Sequence, residues 1–161
     1  MNAPQSPEQQ DLLHRAERQA EVVTGLKACV PHHALLWNLE DTTPYECDGL
    51  TAYRQRPLVV ALPETPEQVQ AVLRTCYALD VPVVARGAGT GLSSGAMPHA
   101  LGVTLSLAKF NKIVKVDPVS RTAVVQCGVR NLAISESAAR HGLYYAPDPS
   151  SPRMRSSSGD Q

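Results

Sequence analysis

The sequence predicts a mixed α+β fold organised around one βαβ unit, and three features carry that expectation. Two apolar runs of strand length, residues 57–62 and 81–85, flank a segment of helical periodicity over 65–79. Directly after the second run the chain breaks into Arg86-Gly-Ala-Gly-Thr-Gly-Leu-Ser-Ser-Gly95, a glycine-rich loop. Beyond that loop, short alternating runs separated by turn chemistry predict more strands and a helix.

Each element has its own local reason. Ser6 caps a first helix, with Pro7 at the first helical position and Gln9 able to reach back to the cap. Leu12, Leu13, Ala16, Ala20 and Val23 then form an apolar stripe to about Thr24, with Gly25 as the stop. Residues 29–56 lack sustained periodicity and are punctuated by Pro31, Pro44 and Gly49. They read as an extended connection packed through Leu35, Leu36 and Trp37. The run 57–62 is continuously apolar, which suits a strand covered on both faces. Thr65-Pro-Glu-Gln68 repeats the helix-entrance chemistry, and Val69, Val72, Leu73 and Cys76 share one face of a helix to about Leu79. The run 81–85 follows as a second strand, parallel to the first with a right-handed crossover. Val103, Leu105 and Leu107 alternate with Thr104 and Ser106, as in a strand with one covered face. Residues 113–116 and 122–126 read as a hairpin around Asp117-Pro-Val-Ser120. Asn131 then caps a helix from about Leu132 to His141, ended by Gly142.

The glycine loop is the candidate site because of where it falls and what it offers. It follows a parallel strand, and open α/β sheets place ligands at the carboxyl ends of their strands. Gly87, Gly89, Gly91 and Gly95 permit backbone angles that turn successive N–H groups toward one anion. Arg86 adds a charge, and Thr90, Ser93 and Ser94 add hydroxyls. A phosphate or a pyrophosphate fits that chemistry. A Walker loop is excluded, because no lysine occurs between Lys27 and Lys109. The Rossmann spacing fails too: the sixth place is Leu92 counted from Gly87, and Ser94 counted from Gly89. Pro98 and Gly102 discourage a helix after the loop, so its own amides must hold the anion.

Composition narrows the function classes. Fifteen basic and fifteen acidic side chains give zero formal charge, which removes the electrostatic footprint of a nucleic-acid binder. No apolar run reaches the length of a membrane span, and the polar first ten residues lack a signal peptide's pattern, so a cytoplasmic setting is expected. Cys29, Cys47, Cys76 and Cys127 form no C-x-x-C pair and read as reduced, buried thiols. The adjacent His32 and His33 share neither a strand face nor a helix face, and no metal site is expected.

Several separated motifs resemble one family in order. Tyr45-Glu-Cys-Asp-Gly-Leu50, Ala52-Tyr-Arg54, Arg86-Gly-Ala-Gly-Thr-Gly-Leu-Ser93, Gly128-Val-Arg-Asn-Leu132 and Tyr144-Tyr-Ala-Pro-Asp-Pro-Ser-Ser151 look like the FAD-linked subunit of glycolate oxidase. More broadly they resemble the FAD-linked oxidases with a vanillyl-alcohol-oxidase or p-cresol-methylhydroxylase (PCMH) type flavin domain, which include D-lactate and D-2-hydroxyglutarate dehydrogenases. The resemblance implies an FAD-binding PCMH-type domain: an N-terminal lobe with the βαβ unit, plus the beginning of a second lobe. It implies that Arg86, Gly87, Ala88, Gly89, Thr90, Gly91, Leu92 and Ser93 contact the FAD pyrophosphate, chiefly through backbone amides. Pro147, Asp148 and Ser151 would line the same flavin site.

The implied activity is oxidation of a 2-hydroxy acid, such as glycolate or D-lactate, to the 2-oxo acid. A second flavin-domain subunit and an iron–sulfur subunit are the implied partners. Family members continue after the Pro-Asp-Pro-Ser-Ser stretch with a glutamine and a Gly-Gly segment. Here residues 152–161 are serine-rich and polar, which reads as a disordered, aberrant tail on a chain truncated before its substrate domain. The expected division is an N-terminal helix and extended segment at 1–52, an incomplete flavin domain at 53–151, and the tail. No catalytic residue is assigned; His141 at a helix end is explained by its interaction with the carbonyls there. Two readings remain open, the flavin-binding piece of an oxidoreductase and a non-catalytic nucleotide-binding remnant.

Overall fold

A computed structural model describes residues 6–146; Pro147, Asp148, Ser151 and the 152–161 tail lie outside the described residues. The chain divides into two compact units, the first ending at Phe110 and the second beginning at Asn111.

The first unit opens with helix α1 (Pro7–Leu26), whose entrance is the expected capping box. The Ser6 hydroxyl accepts from the Gln9 amide at 3.3 Å, and the Gln9 side-chain carbonyl accepts from the Ser6 amide at 3.0 Å. Two expectations for α1 are corrected. The helix runs through Gly25 instead of stopping there. A Cβ at Gly25 would lie 3.0 Å from Thr75 Cγ2 and 3.2 Å from Leu79 Cδ1, so glycine serves close helix approach, not termination. The apolar stripe also reaches less far than its pattern: Leu12 and Leu13 are 67% and 47% exposed, while Val22, Val23 and Leu26 are buried. In the middle turns, polar side chains do the anchoring. Arg15 donates to the carbonyls of Ala100, Arg56 and Pro57, and Gln19 donates to those of Trp37 and Leu58.

A four-stranded sheet carries the rest of this unit. Strand β1 (Leu35–Leu36) is an antiparallel edge on β2 (Val59–Ala61), pairing Leu35 with Ala61. The sequence reading caught only its extended, packed character, because two residues are too few to show a period. A short helix α2 (Leu39–Thr42) follows β1. Helix α3 (Pro66–Ala78) is capped by Thr65, whose hydroxyl accepts from the Gln68 amide. Gln68 reaches one residue beyond the cap, to the Glu64 amide at 2.7 Å. Val72 and Cys76 carry its buried face, while Leu73 is largely exposed. Strands β3 (Val83–Arg86) and β4 (Val103–Ser106) complete the sheet in the order β1-β2-β4-β3.

β2 and β3 are parallel as expected, yet they do not touch, because β4 lies between them and pairs in parallel with both. This corrects the one-face reading of β4: Thr104 and Ser106 are as buried as Val103 and Leu105. Two strands flank it in the sheet, and small hydroxyl residues fit a covered face that larger polar ones would not. β3 in turn is an edge and only half-buried, although its sequence is as apolar as that of β2. Leu26, Leu58, Val59, Val72 and Val103 are at or below 1% exposure and form the centre of the core. Full burial of each such side chain contributes about 1.5–3 kcal/mol.

The second unit contains the expected hairpin, β5 (Ile113–Asp117) with β6 (Thr122–Val125), antiparallel with an irregularity between Ile113 and Lys115. Asp117 Oδ1 closes the turn by accepting from the amides of Val119 and Ser120, each at 3.1 Å. Helix α4 (Asn131–Ala139) starts one residue earlier than expected: Arg130 is the cap residue and Asn131 the first helical one, without a side-chain cap bond. Its end follows the expected chemistry. Gly142 has φ +69°, its amide bonds the Ala139 carbonyl, and the Leu143 amide bonds that of Ala138, the paired bonds of a Schellman end. A groove of about 520 Å³ lies in this unit, lined by Val116, Ala123, Val125, Ile134, Ala138 and Leu143 among others.

Candidate functional site

Arg86 is the last residue of β3, so the glycine loop begins at the carboxyl end of a parallel strand. The loop contains no helix and reaches the sheet again only at Val103. Gly87, Ala88 and residues 90–95 are exposed, and Leu92 is 71% so. A Cβ at Gly87, Gly91 or Gly95 would meet nothing within 4 Å among the described residues, so these positions border open space there. Gly89, at φ +72°, and Ser94, at φ +58°, turn the backbone through the left-handed region. Exposed residues, open glycines and the hydroxyls of Thr90 and Ser93 give the loop a polar surface whose chemistry suits a diphosphate.

The guanidinium of Arg86 is already engaged. Nη1 donates to the Cys47 carbonyl at 2.6 Å, and the group stacks over Tyr45 with 5.5 Å to the ring centroid. It also lies across Gly89, where a Cβ would come within 2.2 Å of Nη2. Glycine at 89 is favoured by its backbone angle, and a side chain there would also have to displace the arginine end crossing it. Arg86 joins two segments: the loop it opens and the stretch containing Tyr45 and Cys47.

That stretch, expected only as part of an extended connection, is the wall behind the loop. Its neck is tied where the Gln55 amide bonds the Glu46 carbonyl at 2.7 Å and Arg54 pairs with Glu46, also at 2.7 Å. Within it Asp48, only 4% exposed, accepts from the Leu50 amide at 2.9 Å through Oδ1, a turn that bonds its own backbone two residues on. Asp48 Oδ2 is buried and has no hydrogen-bond partner among the described residues. Gly49 then meets the loop: a Cβ there would lie 2.7 Å from the Thr90 carbonyl oxygen and 2.9 Å from that of Gly91. In the sequence Gly49 only punctuates an aperiodic stretch; contact with a loop about forty residues away has no local signature.

Of the expected contact residues, Arg86 through Ser93 form this one continuous surface, while Pro147, Asp148 and Ser151 fall outside the described residues. Among the described residues no helix is long and apolar enough to cross a membrane.

Comparison with known proteins gives a consistent picture. Residues 57–156 match the sequence family described as FAD binding domain. The chain is 56% identical over 133 residues to "Glycolate oxidase subunit GlcD" of Escherichia coli (strain K12), covering 83% of this chain and 27% of that protein. It is 33% identical over 130 residues to "D-lactate dehydrogenase" of Anaerostipes hadrus, covering 80% of this chain and 27% of that protein. Among solved structures, p-cresol methylhydroxylase with substrate bound superimposes with a TM-score of 0.68 at 25% identity, over 79% of this chain and 25% of that one. The chain spans about a quarter of the length of these relatives.

Proposed function

Because the chain belongs to the FAD binding domain family, we propose that the loop from Arg86 to Ser93 cradles the pyrophosphate of FAD. On this reading the chain is the flavin-binding part of an oxidoreductase that converts a 2-hydroxy acid of the glycolate or D-lactate type to the 2-oxo acid. The observation that carries the proposal is the exposed, glycine-bordered backbone at the carboxyl end of β3, braced from behind and open in front. It fits a diphosphate without a helix dipole or a lysine, which is what the sequence around it requires. The amides of Gly87 through Ser93 hold the anion, and the hydroxyls of Thr90 and Ser93 add donors. Arg86 supports the loop more than it neutralises charge, since its guanidinium is held by Cys47 and Tyr45.

Bound flavin supplies the hydride acceptor; the part of these residues is to fix where it sits and in which orientation. Similarity to a protein named as a glycolate oxidase subunit supports further subunits as partners; the family resemblance suggests a second flavin-domain subunit and an iron–sulfur subunit, in a cytoplasmic setting. The test is a titration of the purified chain with FAD, followed by flavin fluorescence and visible absorbance. Saturable binding that is lost in an Arg86→Ala, Gly89→Val double variant is the expected result. The absence of saturable binding by the parent chain would overturn the assignment.

A further inference from the structure

We infer that Gly49 is a positioning residue of the anion loop, setting which face of the loop's backbone is presented to the ligand. This rests on the reading of the Arg86–Ser93 loop as the FAD cradle and adds to it a residue outside the loop. The carbonyl oxygens of Thr90 and Gly91 are the atoms nearest to where a Gly49 side chain would begin, at 2.7 and 2.9 Å. An anion site must keep such oxygens away from its ligand, because they repel negative charge. In a trans peptide the N–H lies on the side opposite the C=O, and the described chain contains no cis bonds. With the two oxygens parked against Gly49, the N–H groups of Gly91 and Leu92 are left on the side away from it, where Gly91 borders open space.

Gly49 is itself held in place. Asp48 closes a turn on the Leu50 amide, Arg86 ties the preceding Cys47 carbonyl to the start of the loop, and Glu46 is bonded to Gln55. Gly49 does not have a positive φ, so glycine is needed here for space and not for backbone freedom. A methyl group would have to push the Thr90–Gly91 backbone back by about 0.7 Å to reach ordinary contact. Both contacting groups are main chain, so neither can turn aside as a side-chain end would.

The test compares Gly49→Ala with Gly25→Ala in the full chain. Gly25→Ala is the matched control, since its Cβ would also be crowded, at 3.0 and 3.2 Å, but by flexible side-chain ends between α1 and α3. Two readouts are taken: FAD affinity by fluorescence titration, and the ligand-free amide resonances of Gly91 and Leu92. Gly49→Ala is expected to weaken FAD at least tenfold and to shift both resonances while those of β2 and β4 stay in place. Gly25→Ala should lower the melting temperature, leave FAD within twofold and leave the two resonances unmoved. Unchanged FAD affinity in Gly49→Ala, with the parent binding normally, would overturn the inference and leave the cofactor reading intact. If the parent does not bind FAD, the cofactor reading falls, and the ligand-free spectra decide alone: resonances of Gly91 and Leu92 unmoved by Gly49→Ala would overturn the positioning role, and a shift confined to the loop would uphold it.

Discussion

Removing the Arg86 guanidinium should loosen the wall behind the loop before it does anything else. Arg86→Ala deletes a charge-assisted bond to the Cys47 carbonyl and a stacking contact with Tyr45, while the Arg86 carbonyl keeps its bond from the Leu107 amide. Hydrogen bonds to charged groups contribute about 1.5–3 kcal/mol, and an exposed cation–π contact adds about 0.5. A half-buried site sits near the lower end, so a loss of about 2 kcal/mol is expected. That corresponds to a roughly 30-fold rise in local opening of the segment around Cys47. Native-state hydrogen exchange reads it directly at the Leu50 amide, bonded to Asp48, and at the Gln55 amide, bonded to Glu46. Arg86→Lys separates bracing from charge. Lysine keeps the positive charge but lacks the planar fork, so it should exchange nearly as fast as alanine at both amides. Exchange at Leu50 and Gln55 unaltered by Arg86→Ala, with FAD binding nonetheless lost, would refute the reasoning and make the guanidinium a direct ligand of the anion.

Two further outcomes follow from titrating groups. Burial, with Cys29 adding, pushes the Cys76 thiol up to about 11; iodoacetamide at pH 8 should therefore label the exposed Cys127 in the folded chain and reach Cys76 only on unfolding. The raised value also means that this thiol's contribution to stability is complete below its ordinary 9.0 and is lost as pH rises through about 11, which alkaline melting of a Cys76→Ser variant against the parent would reveal. The Asp117 carboxyl is held below the usual range by the Ser120 amide and hydroxyl, by Lys115 and by the Val119 amide. Its support of the β5–β6 turn is thus present above the ordinary aspartate value of about 3.9 and lost as pH falls through the depressed one. Asp117→Asn should weaken the hairpin at pH 7, with the difference from the parent shrinking as pH falls below the ordinary aspartate range, as read by amide exchange of Val119 and Ser120.

What the sequence disclosed depended on how local the determining physics is. Both helix entrances, at Ser6 and Thr65, and the Gly142 exit are decided within a few residues, and the structure contains them, with the Gln68 side chain at the second entrance reaching Glu64 instead of the cap. The glycine loop was legible as an open segment at the end of a parallel strand for the same reason. Elements whose character depends on a distant neighbour were not. Gly25 has the same one-letter signature whether it ends a helix or lets another helix approach, and only Thr75 and Leu79 decide. Thr104 and Ser106 alternate like a half-covered strand, but a central position in the sheet buries them. Gly49 and Arg86 were both visible as residues of interest, yet their contacts cross about forty positions and leave no periodicity to read.

The order of the strands has a consequence for how the protein comes into being. β4 is the last strand of its sheet to be synthesised, yet it takes the middle place between β2 and β3. Until it arrives, the two earlier strands have a gap between them and no ladder in common. The segment that delivers it is the glycine loop, leaving β3 at Arg86 and ending at Gly102, whose carbonyl accepts from the Leu58 amide at the opening of β2. Sheet completion and loop placement are therefore a single event in folding. Lengthening or shortening the loop would alter when the keystone strand can be seated, so its length is subject to a kinetic constraint as well as a chemical one.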